Sequence, residues 1–323
     1  MAGKTGISRM LTLEVTRVTE RAAVLSSLLA GRGDEKAADQ AAVDAMRTEL
    51  NRLDIDGTIV IGEGERDEAP MLFIGEKVGT GKGPKVDIAL DPLEGTTLCA
   101  KSMPNALAVL AMAEGGSLLH APDTYMDKIA IGGGYPAGLV DLDAKPADNI
   151  KALAKAKKVD VAQITVCILD RPRHAELIAA VRATGARVTL ITDGDIAGVI
   201  NTTDPVTGVD MYMGVGGAPE GVLAAAALRC IGGQMQGRLV TSSDSQKARA
   251  AVMGVKDFNK KFTMEEMASG DVIFAATGVT DGSMLEGIRY MRGGLTTHSV
   301  VMRSNTGTVR WIKAFHPTIE KFK

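Results

Sequence analysis

Apolar positions follow two rhythms along this chain. Leu11, Val15, Val18, Ala22, Leu25 and Leu29 are spaced by alternating fours and threes, which predicts an amphipathic helix closed by Gly31. After Gly31-Arg-Gly-Asp34 a second helix is expected, with Asp34 as its cap and Val43, Met46, Leu50 and Leu53 on its buried face. Short apolar runs at 58–61 and 86–90, bounded by Gly or by an Asp-Pro pair, read as strands, and 105–121 reads as a hairpin turning at Gly115-Gly116. From about residue 160 the rhythms alternate. A strand at 163–169, a helix at 173–184, a strand at 187–191, a short helix, a strand at 209–215 and an alanine-rich helix at 219–229 follow in turn. That βαβα order predicts a largely parallel sheet with helices on its faces. The charged, alanine- and lysine-rich stretch 144–160 is the expected boundary, which places two domains at 1–158 and 159–323.

Composition narrows the class. The 323 residues are 45% apolar and 24% charged, the balance of a globular chain and not of a disordered or coiled-coil one. Lys plus Arg is 37 against 39 Asp plus Glu, a formal charge of −2, so no basic excess points to nucleic acid or to a membrane surface. The longest apolar run, 106–113, is far shorter than the roughly 18 residues a membrane span needs, and no signal-peptide core opens the chain. A cytoplasmic protein is expected. Cys99, Cys167 and Cys230 are widely separated and form no CxxC pair, and the four histidines include no HExxH. Neither a disulfide framework nor a thiolate or histidine metal site is therefore supported. Walker A spacing, a GxGxxG turn and a GxSxG elbow are also absent from the sequence.

The candidate chemistry lies in acids at positions where apolar residues would be expected. Asp39 precedes Val43 by four residues and shares its helix face, although the helix dipole alone also favours an acid near a helix start. Glu63 follows a strand directly, between Gly62 and Gly64, where it reads either as a ligand-facing group or as a charged turn. In Asp91-Pro-Leu-Glu94-Gly-Thr96, a strand ends in an acid, Pro is expected to stop the ladder, a second acid follows, and Gly-Thr opens a possible helix. Two carboxylates held there repel unless a cation lies between them, and a helix start beside that cation suits a phosphate. Glu220 opens another helix behind Gly216-Gly217. Five acids with no His or Cys among them are hard oxygen donors, which imply Mg²⁺ or Mn²⁺ over zinc.

Phosphate and sugar contacts are expected in the second half. Arg171-Pro172-Arg173-His174 follows one strand and Asp193-Gly194-Asp195 follows the next, at carboxyl ends where open α/β sheets bind ligands. Guanidinium forks match phosphate oxygens, and the aspartates suit sugar hydroxyls, though both stretches also read as ordinary turns. Tyr125 offers a ring and a hydroxyl, and by type alone it is a half-buried core residue.

The Asp91-to-Thr96 motif resembles the metal- and phosphate-binding signature of the lithium-sensitive phosphatase superfamily. Gly31-Arg-Gly-Asp34, Asp56-Gly-Thr-Ile-Val-Ile-Gly-Glu-Gly-Glu65, Asp67-Glu-Ala-Pro-Met71 and Ala121-Pro-Asp-Thr-Tyr-Met126 are similar to segments of the class II fructose-1,6-bisphosphatases, the GlpX type. So are Arg171-Pro-Arg-His174, Asp193-Gly-Asp195 and Gly216-Gly-Ala-Pro-Glu-Gly221, and the segments keep the family's order. The resemblance implies a layered α/β/α/β/α sugar-phosphatase fold, with metal binding in the first domain and substrate binding in the second. It implies hydrolysis of the 1-phosphate of fructose 1,6-bisphosphate to fructose 6-phosphate and orthophosphate, a gluconeogenic step. It also implies Mn²⁺ or Mg²⁺, at least two ions per site, one on Asp39 and Glu63 and another on Asp91, Glu94 and Glu220. Substrate contacts would come from Glu94, Gly95, Thr96, Tyr125, Arg171, Pro172, Arg173, Asp193, Gly194, Asp195 and Gly217. A homodimer or homotetramer is the family expectation. The family often has Lys directly after Gly-Arg-Gly-Asp, whereas this chain has Glu35 and then Lys36, so no lysine at that turn is assigned a role.

Within this reading Thr96 positions the attacking group, and Asp67 or Glu65 accepts its proton. Direct attack by the Thr96 hydroxyl is the weaker alternative, because no histidine lies nearby in sequence to activate it. Sedoheptulose 1,7-bisphosphate or an inositol phosphate is an alternative substrate. A metal-dependent sugar-phosphate binding protein without turnover is an alternative of another class.

Overall fold

The fours-and-threes spacing forms α1 (Leu11–Ser27), with Val15, Val18 and Ala22 fully buried. Asp34 caps α2 (Glu35–Leu50) by accepting the Ala37 N–H at 3.0 Å, and Val43, Met46 and Leu50 face the core as expected. The computed structural model describes residues 7–64, 71–241 and 243–323, so the expected proton acceptors Glu65 and Asp67 lie outside the described residues. The chain is α/β and divides into two units, one running to Leu119 and resuming at Ala268–Lys323, the other being His120–Met267.

In the first unit β1 (Asp56–Ile61) runs parallel to β3 (Lys85–Glu94) and antiparallel to the short β2 (Lys77–Val78). The five-residue α3 (Thr96–Ala100) leads to β4 (Leu107–Glu114). Two sequence expectations change here. β4 does not fold back as a hairpin: it pairs antiparallel with β3, and residue 118 makes only an isolated bridge to Ala268. Every residue from Ala106 to Ala113 is buried, which requires a central strand with neighbours on both sides. Nor does Pro92 end β3. Asp91 pairs with Val109 and Glu94 with Leu107, so one extra residue bulges out and the imide falls where the ladder is already interrupted.

The second unit begins with β5 (Tyr125–Gly132) and α4 (Pro146–Lys157). The alternating run follows: β6 (Thr165–Leu169), α5 (Ala175–Ala183), β7 (Arg187–Ile191), α6 (Asp195–Ile200), β8 (Met211–Gly217) and α7 (Ala218–Ile231). The unit closes with β9 (Gly233–Val240), α8 (Asp244–Val252), β10 (Phe262–Thr263) and α9 (Met264–Met267). β6, β7 and β8 are parallel as expected, but β5, β9 and β10 join antiparallel in the order β10-β9-β5-β8-β6-β7. The sheet is therefore mixed.

The chain then returns to the first unit through β11 (Val272–Gly278), β12 (Arg289–Met291), β13 (Gly294–Arg303) and β14 (Thr308–His316). These complete a sheet ordered β12-β13-β11-β4-β3-β1-β2, with β14 beside β13. The boundary drawn at 158/159 is thus displaced. Ile150, Leu153 and Ala154 put an amphipathic face on α4 and bury it in the second unit's core, so the stretch read as a linker is an internal helix.

Candidate active site

In the first unit the expected acids come from three elements. Asp39 lies on α2 one turn past the cap, partly buried, and burial pushes its carboxyl above the ordinary aspartate range. The start of α2 is tied to α3 by Gly31 N–H to Cys99 O and Gly33 N–H to Ala100 O, both 2.9 Å. Glu63 leaves the end of β1 with its N–H bonded to Leu72 O at 3.1 Å. Its neighbour must be glycine, since a Cβ at Gly62 would stand 2.0 Å from that same carbonyl oxygen.

The β3 bulge positions Asp91 and Glu94. Asp91 Oδ1 accepts the Leu93 N–H at 3.1 Å, closing a local turn around Pro92, and Glu94 is 3% exposed. Gly95 then takes a left-handed conformation (φ 80°, ψ 53°) and serves as N-cap of α3, so Thr96 is its first residue. Gly194 repeats this conformation (φ 83°, ψ 48°) ahead of Asp195 on α6. Both motifs place a polar side chain on the first residue after a glycine-turned cap.

In the second unit the expected contacts gather at the carboxyl ends of three parallel strands. Arg171, Pro172 and Arg173 follow β6, Asp193 to Asp195 follow β7, and Gly217 ends β8 with Glu220 just beyond it. Tyr125 opens the antiparallel β5 directly opposite Gly217 and so reaches the same edge. The Arg173 guanidinium lies 4.8 Å from the Tyr125 ring centroid and donates to Val215 O at 3.0 and 2.7 Å. Buried His174 accepts the Val215 N–H on Nε2 at 2.8 Å, so its proton is on Nδ1, 2.8 Å from Leu169 O. It therefore staples β6 to β8 and serves as a structural histidine.

Glu220 stands in the first turn of α7. Its Oε2 is shut off from solvent with no hydrogen-bond partner among the described residues. Burial, and then the charge of Asp195, push its pKa up to about 7, against a smaller lowering effect of Lys128. A Cβ on Gly217 would stand 1.8 Å from that oxygen, so a side chain there would push the carboxylate out of this position. Among the described residues no three His, Cys, Asp or Glu side chains converge tightly enough to enclose a metal ion. The donor chemistry nonetheless fits a hard divalent cation, because the buried Glu220 oxygen lacks the partner that such an ion would supply.

Sequence reasoning missed Lys128, which is 1% exposed and paired with Asp195. The signal was available in the alternation of β5: Lys128 shares its strand face with Met126 and Ala130, both fully buried. A lysine on an apolar face implies a buried acid to meet it.

Hard carboxylates and strand-end arginines are the chemistry of a phosphatase acting on small phosphate esters. Comparison with known proteins narrows that class. A family model described as bacterial fructose-1,6-bisphosphatase, glpX-encoded, matches residues 9–316, and the chain belongs to this family. It is 47% identical over 322 residues to fructose-1,6-bisphosphatase 1 class 2 of Escherichia coli (strain K12), with 95% of each chain covered. It is 44% identical over 331 residues, again 95% of each, to a D-fructose 1,6-bisphosphatase class 2/sedoheptulose 1,7-bisphosphatase of Synechococcus sp. (strain JA-3-3Ab).

Proposed function

We propose that this chain hydrolyses the 1-phosphate of fructose 1,6-bisphosphate, releasing fructose 6-phosphate and orthophosphate, with Mn²⁺ or Mg²⁺, at least two ions per site. The observation that carries this reading is the β3 turn, where Asp91, Glu94 and Thr96 ride on one bulge and one glycine-capped helix start. Asp39, Glu63, Asp91, Glu94 and Glu220 are the carboxylates assigned to the ions. When bound, such ions neutralise the ester dianion, lower the pKa of water and stabilise the departing alkoxide.

The chain's own residues supply the rest. The Thr96 hydroxyl orients the attacking group, and Asp67 or Glu65 takes up its proton. Glu94, Gly95 and Thr96 meet the reacting phosphate. Arg171, Pro172 and Arg173, with Tyr125 beside Arg173, hold the phosphate that stays. Asp193, Gly194, Asp195 and Gly217 contact the sugar. A homodimer or homotetramer in the cytoplasm completes the reading and rests on the family alone; no helix among the described residues is long and apolar enough to cross a membrane. Sedoheptulose 1,7-bisphosphate is a second substrate to assay, since one relative's name includes that activity.

Chelation tests the metal assignment. Excess chelator should abolish phosphate release and Mn²⁺ should restore it, while Asp91→Ala should lower turnover by about 10²-fold or more at saturating Mn²⁺. Undiminished turnover in chelator would overturn the assignment.

A further inference from the structure

Lys128 reaches the sheet edge from inside the second unit. Its side chain passes α7 where that helix has Gly221, at which a Cβ would stand 3.3 Å from the lysine Cδ. The ammonium pairs with Asp195 Oδ2 and donates to the Gly217 carbonyl at 2.9 Å. The Tyr212 hydroxyl donates to the same Asp195 oxygen at 3.4 Å. Backbone closes the remaining side: a Cβ on Gly216 would stand 2.1 Å from Asp195 Oδ2 and 2.9 Å from Lys128 Nζ. One buried cation thus ties together three parts of the edge, the start of α6, the end of β8 and the strand β5.

An ammonium is costly to bury unless it is paired and hydrogen-bonded, and a well-packed apolar side chain of similar volume often stabilises a core as well. Packing alone therefore does not account for a lysine here. Its two partners, Asp195 and Gly217, are both among the groups assigned to the sugar.

We propose that Lys128 is a positioning residue that fixes the Asp195 carboxylate in the one rotamer from which it meets the sugar. The proposal rests on the assignment of Asp195 to the substrate. It acts through binding, so its loss should appear in KM more than in kcat.

The test is a double-mutant cycle on the full-length, Mn²⁺-loaded protein. Asp195→Asn alone checks the assignment and should raise KM for fructose 1,6-bisphosphate about tenfold or more, with kcat within about threefold. Lys128→Met should do the same. The double variant should match Asp195→Asn within about twofold, because the carboxylate that Lys128 positions is already gone. Lys128→Met leaves a buried carboxylate without its countercharge and can fail to fold. The double variant removes both charges at nearly constant volume, and where Lys128→Met does not fold, Lys128→Arg, which keeps the countercharge but not the ammonium's fit between Asp195 and the Gly217 carbonyl, takes its place in the cycle. A double variant with KM about tenfold above Asp195→Asn would overturn the proposal, as would Lys128→Met with a lowered Tm and unchanged KM. If Asp195→Asn leaves KM unmoved, the assignment of Asp195 to the sugar fails first, and the positioning role fails with it.

Discussion

Thr96 follows a glycine whose left-handed backbone places the hydroxyl on the first residue of α3. If that hydroxyl orients the attacking group, Thr96→Ser keeps it and should retain substantial turnover, whereas Thr96→Ala should lose roughly 10²-fold. Rapid acid quench with labelled substrate separates orientation from direct attack, since only attack would leave a phosphorylated peptide containing Thr96. Wild-type turnover by Thr96→Ala would remove the residue from the mechanism. At this scale the sequence was informative wherever an acid interrupted an apolar pattern, as at Asp91, Glu94 and Glu220. It was silent on what surrounds them. That Glu220 has a buried oxygen without a partner among the described residues, and that a side chain at 217 would displace it, depends on how β8 and α7 meet. Lys128 escaped notice because a single lysine in a strand usually faces solvent, and its acid lies 67 residues away.

Helices and strands with a strong period appear where they were expected: α1, α2, β7 and α7 lie within a few residues of the sequence reading. Pairing was less legible. The fully apolar β4 looked like one arm of a hairpin, but its second neighbour, β11, comes more than 150 residues later. No local signal reports so distant a partner. These long-range pairings also build a buried polar chain across α1, β13 and β14. The Thr297 hydroxyl donates to Glu20 Oε1 at 2.8 Å and accepts from His316 Nε2 at 3.0 Å. Burial, with Lys321 adding to it, pushes the His316 pKa down to about 4 from the ordinary 6.5. The folded imidazole therefore stays neutral where the unfolded one gains a proton. This contribution to stability is intact above about pH 6.5 and is lost as pH falls toward about 4. Glu20, raised by burial, works in the opposite direction. Comparison with His316→Gln isolates the histidine: the wild-type Tm should fall more steeply than the variant's between pH 6.5 and 4.5. Parallel curves would contradict the assignment.

For the whole molecule, the two units do not follow the order of the chain, because β11–β14 return to the first sheet after the second unit is complete. A linear sequence reading places one boundary and has no means to see that return. Each unit nevertheless presents a distinct part of the chemistry, with acids around the β3 bulge in one and arginines and acids at the carboxyl ends of β6, β7 and β8 in the other. The central claim is that these residues remove one particular phosphate from a sugar bisphosphate. The most direct test follows orthophosphate, fructose 6-phosphate and fructose 1-phosphate together, from purified protein given fructose 1,6-bisphosphate and Mn²⁺. The account predicts orthophosphate and fructose 6-phosphate in equal amounts, and neither product in the presence of excess chelator. Accumulation of fructose 1-phosphate, or binding of the bisphosphate with no orthophosphate released, would contradict it.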